Sequence, residues 1–248
     1  MSANSFRDDL FSGRVALVSG GTSGIGAAVG DALAGCGAVA IVTGATAAEA
    51  DAARGRPDFR GRDALALDVR DPAAIASLVA NLPRLDILVN AAGVIRRDAE
   101  HDPAVFADVL DINLTGAMRL CTIARPLLAK SRGCIINIAS ILAYFGGGRV
   151  PAYSASKGGL AQLTKSLAIA YAQDRIRVNA VAPGWIATAL TQALQDDHER
   201  SAAILARTPL GRWGDPGDVA GTVVFLCSPA AEFVTGAIVP VDGGYLAA

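Results

Sequence analysis

Seven short, almost uninterrupted apolar runs punctuate this chain, and helical patterns of apolar residues lie between them. The runs are Arg14–Ser19 (RVALVS), Ala38–Thr43 (AVAIVT), Ala64–Val69 (ALALDV), Leu85–Asn90 (LDILVN), Cys134–Ala139 (CIINIA), Arg177–Val181 (RVNAV) and Ala237–Val241 (AIVPV). A strand that does not alternate polar with apolar residues must be covered on both faces. Parallel strands joined through helices meet that demand. The pattern predicts an α/β fold, a doubly wound parallel sheet of about seven strands with helices on both faces. Helices are predicted over Ile25–Cys36, Asp71–Ala80, Val105–Leu128, Ala152–Gln173 and Asp218–Cys227. Asp71 caps the second of these and Pro72 is its first helical residue. Pro240 lacks an N–H for the ladder and places the last strand at a sheet edge. The stretch 184–210 has no regular period and a polar middle, Gln195–Arg200.

A chain of 248 residues suits a single domain, 1–248, and can bury a core without disulfides or metals. The net charge is −1 and no run of Lys or Arg occurs, so neither nucleic acid nor an anionic membrane is indicated as a partner. Cys36, Cys121, Cys134 and Cys227 stand apart with no CxxC pairing, which reads as core hydrophobes in a reducing compartment. His101 and His198 are far apart in sequence, and no metal-ligand cluster is seen. Met1–Asp9 lacks the apolar segment of a signal peptide, and no apolar run reaches the ~18 residues of a membrane span. A cytoplasmic protein is predicted.

In doubly wound sheets ligands sit beyond the carboxyl ends of the strands. After the first run comes Ser19-Gly20-Gly21-Thr22-Ser23-Gly24-Ile25-Gly26, with Gly20, Gly24 and Gly26 between strand and helix. Glycines let backbone approach a pyrophosphate at a helix N-terminus, although a plain tight turn would use them too. Asp68 ends the third run, where a carboxylate could accept from an adenine amino group; a turn or cap role is the alternative. Asn90-Ala91-Ala92-Gly93 ends the fourth run with small residues. Tyr153 and Lys157 lie one turn apart on a helix, on the same face. A phenol titrates near about 10, and a neighbouring ammonium would lower that and make a better general acid/base. Ser140 ends the fifth run on the same sheet edge. Asn113 is a mediocre helix former inside a predicted helix, which asks for a reason.

Taken together, SGGTSGIG, LDV, LVNAAG, INLTG, INIAS, YSASK, VNAVAPG and a terminal VDGG resemble the short-chain dehydrogenase/reductase family over Gly13–Gly244. The resemblance implies a Rossmann fold and hydride transfer between a nicotinamide cofactor, NAD or NADP, and an alcohol/carbonyl pair. Tyr153 would exchange the substrate proton, and Lys157 would lower its pKa and hold the nicotinamide ribose. Ser140 would polarise the substrate oxygen, and Asn113 would hold a water linking Lys157 to solvent. Gly20, Thr22, Ser23, Ile25 and Gly26 would cradle the cofactor, with Asp68 and Val69 at adenine. Asn90, Ala91 and Gly93 would line its ribose, and Pro183, Gly184, Ile186 and Thr188 would meet the nicotinamide end. The family needs no metal.

One departure concerns the cofactor. Members preferring NAD often carry an acid at the end of the second strand, where this chain has Gly44, and members preferring NADP often carry a basic residue where it has Ser23. Neither signature is present, and likeness to the branch below favours NAD.

AAGVIRR, GGGRVPAYSASK, RSAAIL, PLGRWGDP and VDGGYLA resemble the sugar-acid dehydrogenases of that family, which act on 2-dehydro-3-deoxy-gluconate and gluconate. Arg149, with one of Arg96 or Arg97, is a candidate fork for a substrate carboxylate. Trp185 is a candidate pocket wall, and 184–210 is expected to cover the substrate. Alternatives are an NADP-dependent 3-oxoacyl-thioester or general ketone reductase, and a non-catalytic dinucleotide-binding module. Family members are usually homotetramers.

Overall fold

The computed structural model describes residues 6–57, 59 and 62–248. Seven strands form one parallel sheet: β1 (Val15–Ser19), β2 (Val39–Gly44), β3 (Arg62–Ala66), β4 (Ile87–Asn90), β5 (Cys134–Ile138), β6 (Arg177–Pro183) and β7 (Ile238–Val241). Their order is β3-β2-β1-β4-β5-β6-β7, so β7 is an edge as Pro240 requires, and the order reverses between β1 and β4. The helices are α1 (Gly24–Gly35), α2 (Ala47–Arg54), α3 (Pro72–Ala80), α4 (Pro103–Leu110), α5 (Gly116–Ser131), α6 (Pro151–Ala170), α7 (Gln192–Gln195), α8 (His198–Ala206) and α9 (Pro216–Cys227).

Successive strand residues serve opposite layers, which is why the runs contain no polar alternation. Ala16, Val18, Val42, Val89, Ile136 and Val181 pack with Val29 and Leu33 of α1 and Val219, Val223 and Val224 of α9. Leu17, Ile41, Leu88, Ile135 and Val178 pack instead with Ile75 of α3, Leu120 and Leu128 of α5, and Leu167 of α6. All four cysteines are buried and free. No helix among the described residues is long and apolar enough to cross a membrane.

Four details differ from the sequence pattern, the first being α2, a helix that the pattern did not indicate. β3 stops at Ala66, so Asp68 lies in the turn beyond the strand rather than at its end. The single helix expected over Val105–Leu128 is two, α4 and α5, joined by a π-helical turn at Asp111–Thr115. The stretch 184–210 is not irregular: it holds a 3-10 turn (Ala189–Thr191), α7 and α8, with Leu194 and Ile204 buried. Helices this short offer too few positions for a period to emerge. Asp71 caps α3 as expected, accepting from the amides of Ala73 (2.8 Å) and Ala74 (3.0 Å).

Candidate active site

A cavity of about 980 Å³ opens along the carboxyl edge of the sheet, lined by the segments that follow β1, β4, β5 and β6. The glycine turn forms one side. Gly20 and Gly24 have φ of +67° and +54°, in the left-handed region. A Cβ on Gly20 would lie 2.6 Å from the Ala92 backbone, and one on Gly26 would lie 2.2 Å from the Gly20 carbonyl oxygen. The glycines are thus dictated by how the turn packs on itself and on the end of β4. α1 then opens with Ser23 as its cap, with no side-chain cap hydrogen bond and no acidic residue in its first turn. Its first N–H groups are left for an anion. These features fit a dinucleotide pyrophosphate.

Farther along the edge, β5 delivers Ser140 and α6 delivers Tyr153 and Lys157. The Ser140 oxygen accepts from the Leu142 amide at 3.1 Å, and its hydroxyl is close enough to the Tyr153 phenol to favour the phenolate. Lys157 is buried, and its Nζ donates to the Ile138 carbonyl at 2.6 Å and lies 5.4 Å from the Tyr153 ring centroid. Burial pushes the phenol of Tyr153 up to about 12; the Ser140 hydrogen bond works against this and the charge of Glu100 adds to it. Burial pulls the Lys157 ammonium down to about 8. The phenol is therefore raised rather than lowered, because desolvation outweighs the hydrogen bond of Ser140.

The π-helical turn answers why Asn113 sits inside a helix. Its carboxamide is buried and pairs both ways with Val94: Val94 N–H donates to Oδ1 (2.8 Å) and Nδ2 donates to the Val94 carbonyl (3.0 Å). Nδ2 also donates to Ser156 at 3.2 Å. A Cβ on Gly93 would touch both Asn113 Oδ1 (3.4 Å) and Lys157 Nζ (3.6 Å), so the three groups converge. π-bulges of this kind recur at functional sites.

The cavity wall includes Gly20, Thr22, Ser23, Ile25, Gly26, Asp68, Val69, Ala91, Gly93, Ser140, Tyr153, Lys157, Pro183, Gly184, Ile186 and Thr188. Asn90 is not part of it; its side chain points into the protein and donates to Asn137 at 2.8 Å and to Cys121 Sγ at 3.3 Å. Asp68 is held by Arg70, which lowers its pKa. Arg97 and Arg149 line the mouth, whereas exposed Arg96 turns to Asp108 (3.6 Å). The Arg149 fork is engaged by both oxygens of Asp98. Arg97 forms no ion pair among the described residues. Trp185 lines the cavity, edge-on to Trp213 and Tyr245, and its buried Nε1 has no hydrogen-bond partner.

Among the wall residues that the sequence did not single out, three bear on the chemistry. Arg200 of α8 adds a guanidinium to those of Arg97 and Arg149, paired with Asp197 at 3.2 Å. Phe145 adds an aromatic face, stacked on Tyr245. Glu49 stands where the end of β2 carries no side chain: a Cβ on Gly44 would lie 2.8 Å from Glu49 Cβ and 2.9 Å from its Oε2. The Glu49 carboxylate accepts from the Ala45 amide at 2.8 Å, and the Thr46 hydroxyl accepts from the Glu49 amide at 3.2 Å. The T-x-x-E spacing of Thr46–Glu49 was the available signal, since it marks a helix start with a glutamate folded back toward it.

A dinucleotide cradle at the switch point of a parallel sheet, next to a Ser–Tyr–Lys cluster, defines a nicotinamide-dependent oxidoreductase. The chain belongs to the short-chain dehydrogenase/reductase family and is an NAD(P)-dependent oxidoreductase. A family model described as enoyl-(acyl carrier protein) reductase matches residues 20–246. The chain is 44% identical to the 2-dehydro-3-deoxy-D-gluconate 5-dehydrogenase of Bacillus subtilis over 96% of its length and 97% of the relative's. It is 39% identical to the 3-oxoacyl-[acyl-carrier-protein] reductase of Escherichia coli over 94% of its length and 98% of the relative's. The crystal structure of a gluconate 5-dehydrogenase from Burkholderia cenocepacia, in complex with NADP and tartrate, superposes with a TM-score of 0.89. That match is 33% identical and covers 97% of this chain and 98% of the other.

Proposed function

We propose that this protein interconverts a secondary alcohol and a ketone on a sugar acid of the 2-dehydro-3-deoxy-gluconate or gluconate type, with NAD as the preferred cofactor. The observation that carries the substrate class is that Arg97, Arg149 and Arg200 line the cavity that also holds Ser140 and Tyr153, in addition to Arg70, whose charge is taken up by Asp68 and Asp108. A thioester or plain ketone has no carboxylate to pair with them. Arg97, with no ion pair among the described residues, is the first ligand for that carboxylate. Arg149 is held by Asp98 and supports it, and Arg96 has no such role.

In this reading Ser140 donates to the substrate oxygen and Tyr153 gives or takes the proton there. Lys157 holds the nicotinamide ribose hydroxyls as well as the Ile138 carbonyl. Asn113 locks the Val94 loop beneath the site and serves a water path from Lys157. The bound nicotinamide supplies the hydride acceptor or donor and, when oxidised, a positive charge that favours phenolate. The segment 184–210 covers the substrate within a single domain, 1–248, through Leu190, Leu194 and Arg200.

Glu49 supports the choice of NAD. A carboxylate beside Gly44 can accept from a ribose 2′-hydroxyl and repels a 2′-phosphate. Arg56, the guanidinium on the far side of the turn, is engaged by the Thr22 carbonyl (3.2 Å) and Asp31 (3.7 Å). We also read the protein as a cytoplasmic homotetramer.

The test offers NAD and NADP separately with 3-deoxy-hexonates, gluconate and neutral secondary alcohols, and follows reduced nicotinamide by absorbance. Turnover of the acids with NAD is expected, with Glu49→Gln shifting preference toward NADP. Turnover confined to NADPH and neutral or thioester ketones would sink the sugar-acid reading and leave the oxidoreductase class standing.

A further inference from the structure

Glu100 is the most deeply buried carboxylate near the site, only 1% exposed, and no ion pair involves it among the described residues. A buried charge needs compensation, and here backbone supplies it. Oε1 accepts from the Arg96 amide at 2.8 Å and Oε2 from the Tyr153 amide at 2.8 Å. The second bond has a local cause. α6 begins after Val150, which has no side chain to cap it, and carries no acidic residue in its first turn. Tyr153 N–H is one of the N–H groups that the start of a helix leaves orphaned. Its partner comes from a turn more than fifty residues away in the chain.

That turn is fastened to the segment before Tyr153 at three further points. Arg149 pairs with Asp98, the Asp98 amide donates to the Arg149 carbonyl at 2.8 Å, and His101 Nε2 bonds the Gly148 carbonyl at 3.0 Å. Asp98 adopts a left-handed φ of 67°, a strained choice for a residue with a side chain. The strain is the price of bringing Arg96, Arg97 and Glu100 to this edge.

We propose that Glu100 is a positioning residue for the reaction. Its one carboxylate clamps the backbone of Tyr153 to that of Arg96, so the proton-exchanging phenol and the carboxylate-binding Arg97 move as a unit. A substrate held at Arg97 is thereby presented to Tyr153 at a fixed separation, and misplacement on the ångström scale costs catalysis steeply. This rests on the reading of Tyr153 as the acid/base.

The groups facing the Tyr153 phenol are Ser140 from the end of β5, Lys157 from α6 and Glu100 from the turn. On and beside the turn that carries Glu100, Arg96 donates its amide to it, Asp98 pairs with Arg149, and His101 bonds the Gly148 carbonyl. Removing the Glu100 charge takes away an influence that raises the phenol, so the Tyr153 limb of the pH profile moves to lower pH.

The experiment compares Glu100→Gln, Glu100→Asp and Tyr153→Phe with the full-length wild type. It measures kcat, KM for the acid, the pH profile, NADH affinity by fluorescence and melting temperature. Glu100→Gln keeps one acceptor but sets an NH₂ against the other amide. It is expected to lower kcat by about tenfold or more and to move the profile to lower pH, with NADH affinity within about twofold. Glu100→Asp keeps the charge and should return the profile to its wild-type position even where stability is lost. A wild-type kcat and profile in Glu100→Gln overturns the proposal, as does a profile displaced equally in Gln and Asp. If Tyr153→Phe retains turnover, the acid/base reading itself is the one that fails.

Discussion

At the scale of single residues, the site sets buried charge against function. Lys157 is an ammonium inside the protein with its pKa pulled down to about 8 from 10.5. The folded state binds that proton more weakly than the unfolded chain does, so the burden is fully present below pH 8. It is relieved as pH rises from about 8 to 10.5, where stability increases with pH. Lys157→Met should abolish turnover yet raise stability at pH 7 by up to about 3 kcal/mol, read by denaturant unfolding. A destabilised Lys157→Met would mean that the bond to Ile138 outweighs the desolvation. Arg97 makes the opposite case, a charge on the cavity wall with no ion pair among the described residues, which the proposed function assigns to the substrate carboxylate. Arg97→Ala should raise KM for a sugar acid about tenfold or more, the scale of losing one charge-assisted hydrogen bond. Cofactor affinity should stay the same. An unchanged KM would remove Arg97 from substrate recognition.

At the scale of elements, the strand–turn–helix from β1 to α1 carries the tightest constraint. Gly26 lies where a methyl group would approach the Gly20 carbonyl oxygen to 2.2 Å, and neither atom belongs to a flexible side chain. Gly26→Ala must shift the turn off the end of β4 and displace the N–H groups of α1. Dinucleotide affinity should fall by at least tenfold, with stability lower by about 1–3 kcal/mol. Titration of NADH fluorescence and a melting curve read both, and wild-type affinity would show that the turn relaxes without cost. Two other elements are specialised for the site. The π-helical turn at Asp111–Thr115 aims Asn113 at Val94, and the extended end of β6 carries Pro183 and Gly184 to the cavity.

At the scale of the whole molecule, several large apolar side chains remain outside the core. Phe233 is fully exposed, Ile169 on α6 is 81% exposed and Leu210 69%. Isolated exposed hydrophobes are ordinary, but α6 also carries Tyr153 and Lys157, so covering its outer face would stiffen the site. Under the homotetramer reading, Ile169→Lys should lower the mass measured by light scattering and reduce kcat. A monomeric wild type would remove that reading.

Much of this could be read from the chain before any coordinates. The uninterrupted apolar runs pointed to a parallel sheet with two covered faces, because the helices that join parallel strands hide both sides of them. Pro240 placed its strand at the edge for want of an N–H. The Tyr153–Lys157 spacing put two groups on one helical face, because a helix brings every fourth residue around. Tertiary structure alone decided what depends on distant partners. Asn90 could not be known to face Asn137, since neighbouring strands set that register. Arg96 and Arg97 were equivalent until Asp108 claimed one of them. The phenol of Tyr153 was expected to fall in pKa and instead rises, because burial is a property of the folded whole. Glu49 and Glu100 carried little signal as letters. The one takes the space left by Gly44, and the other reaches an amide far along the chain, where packing alone brings them.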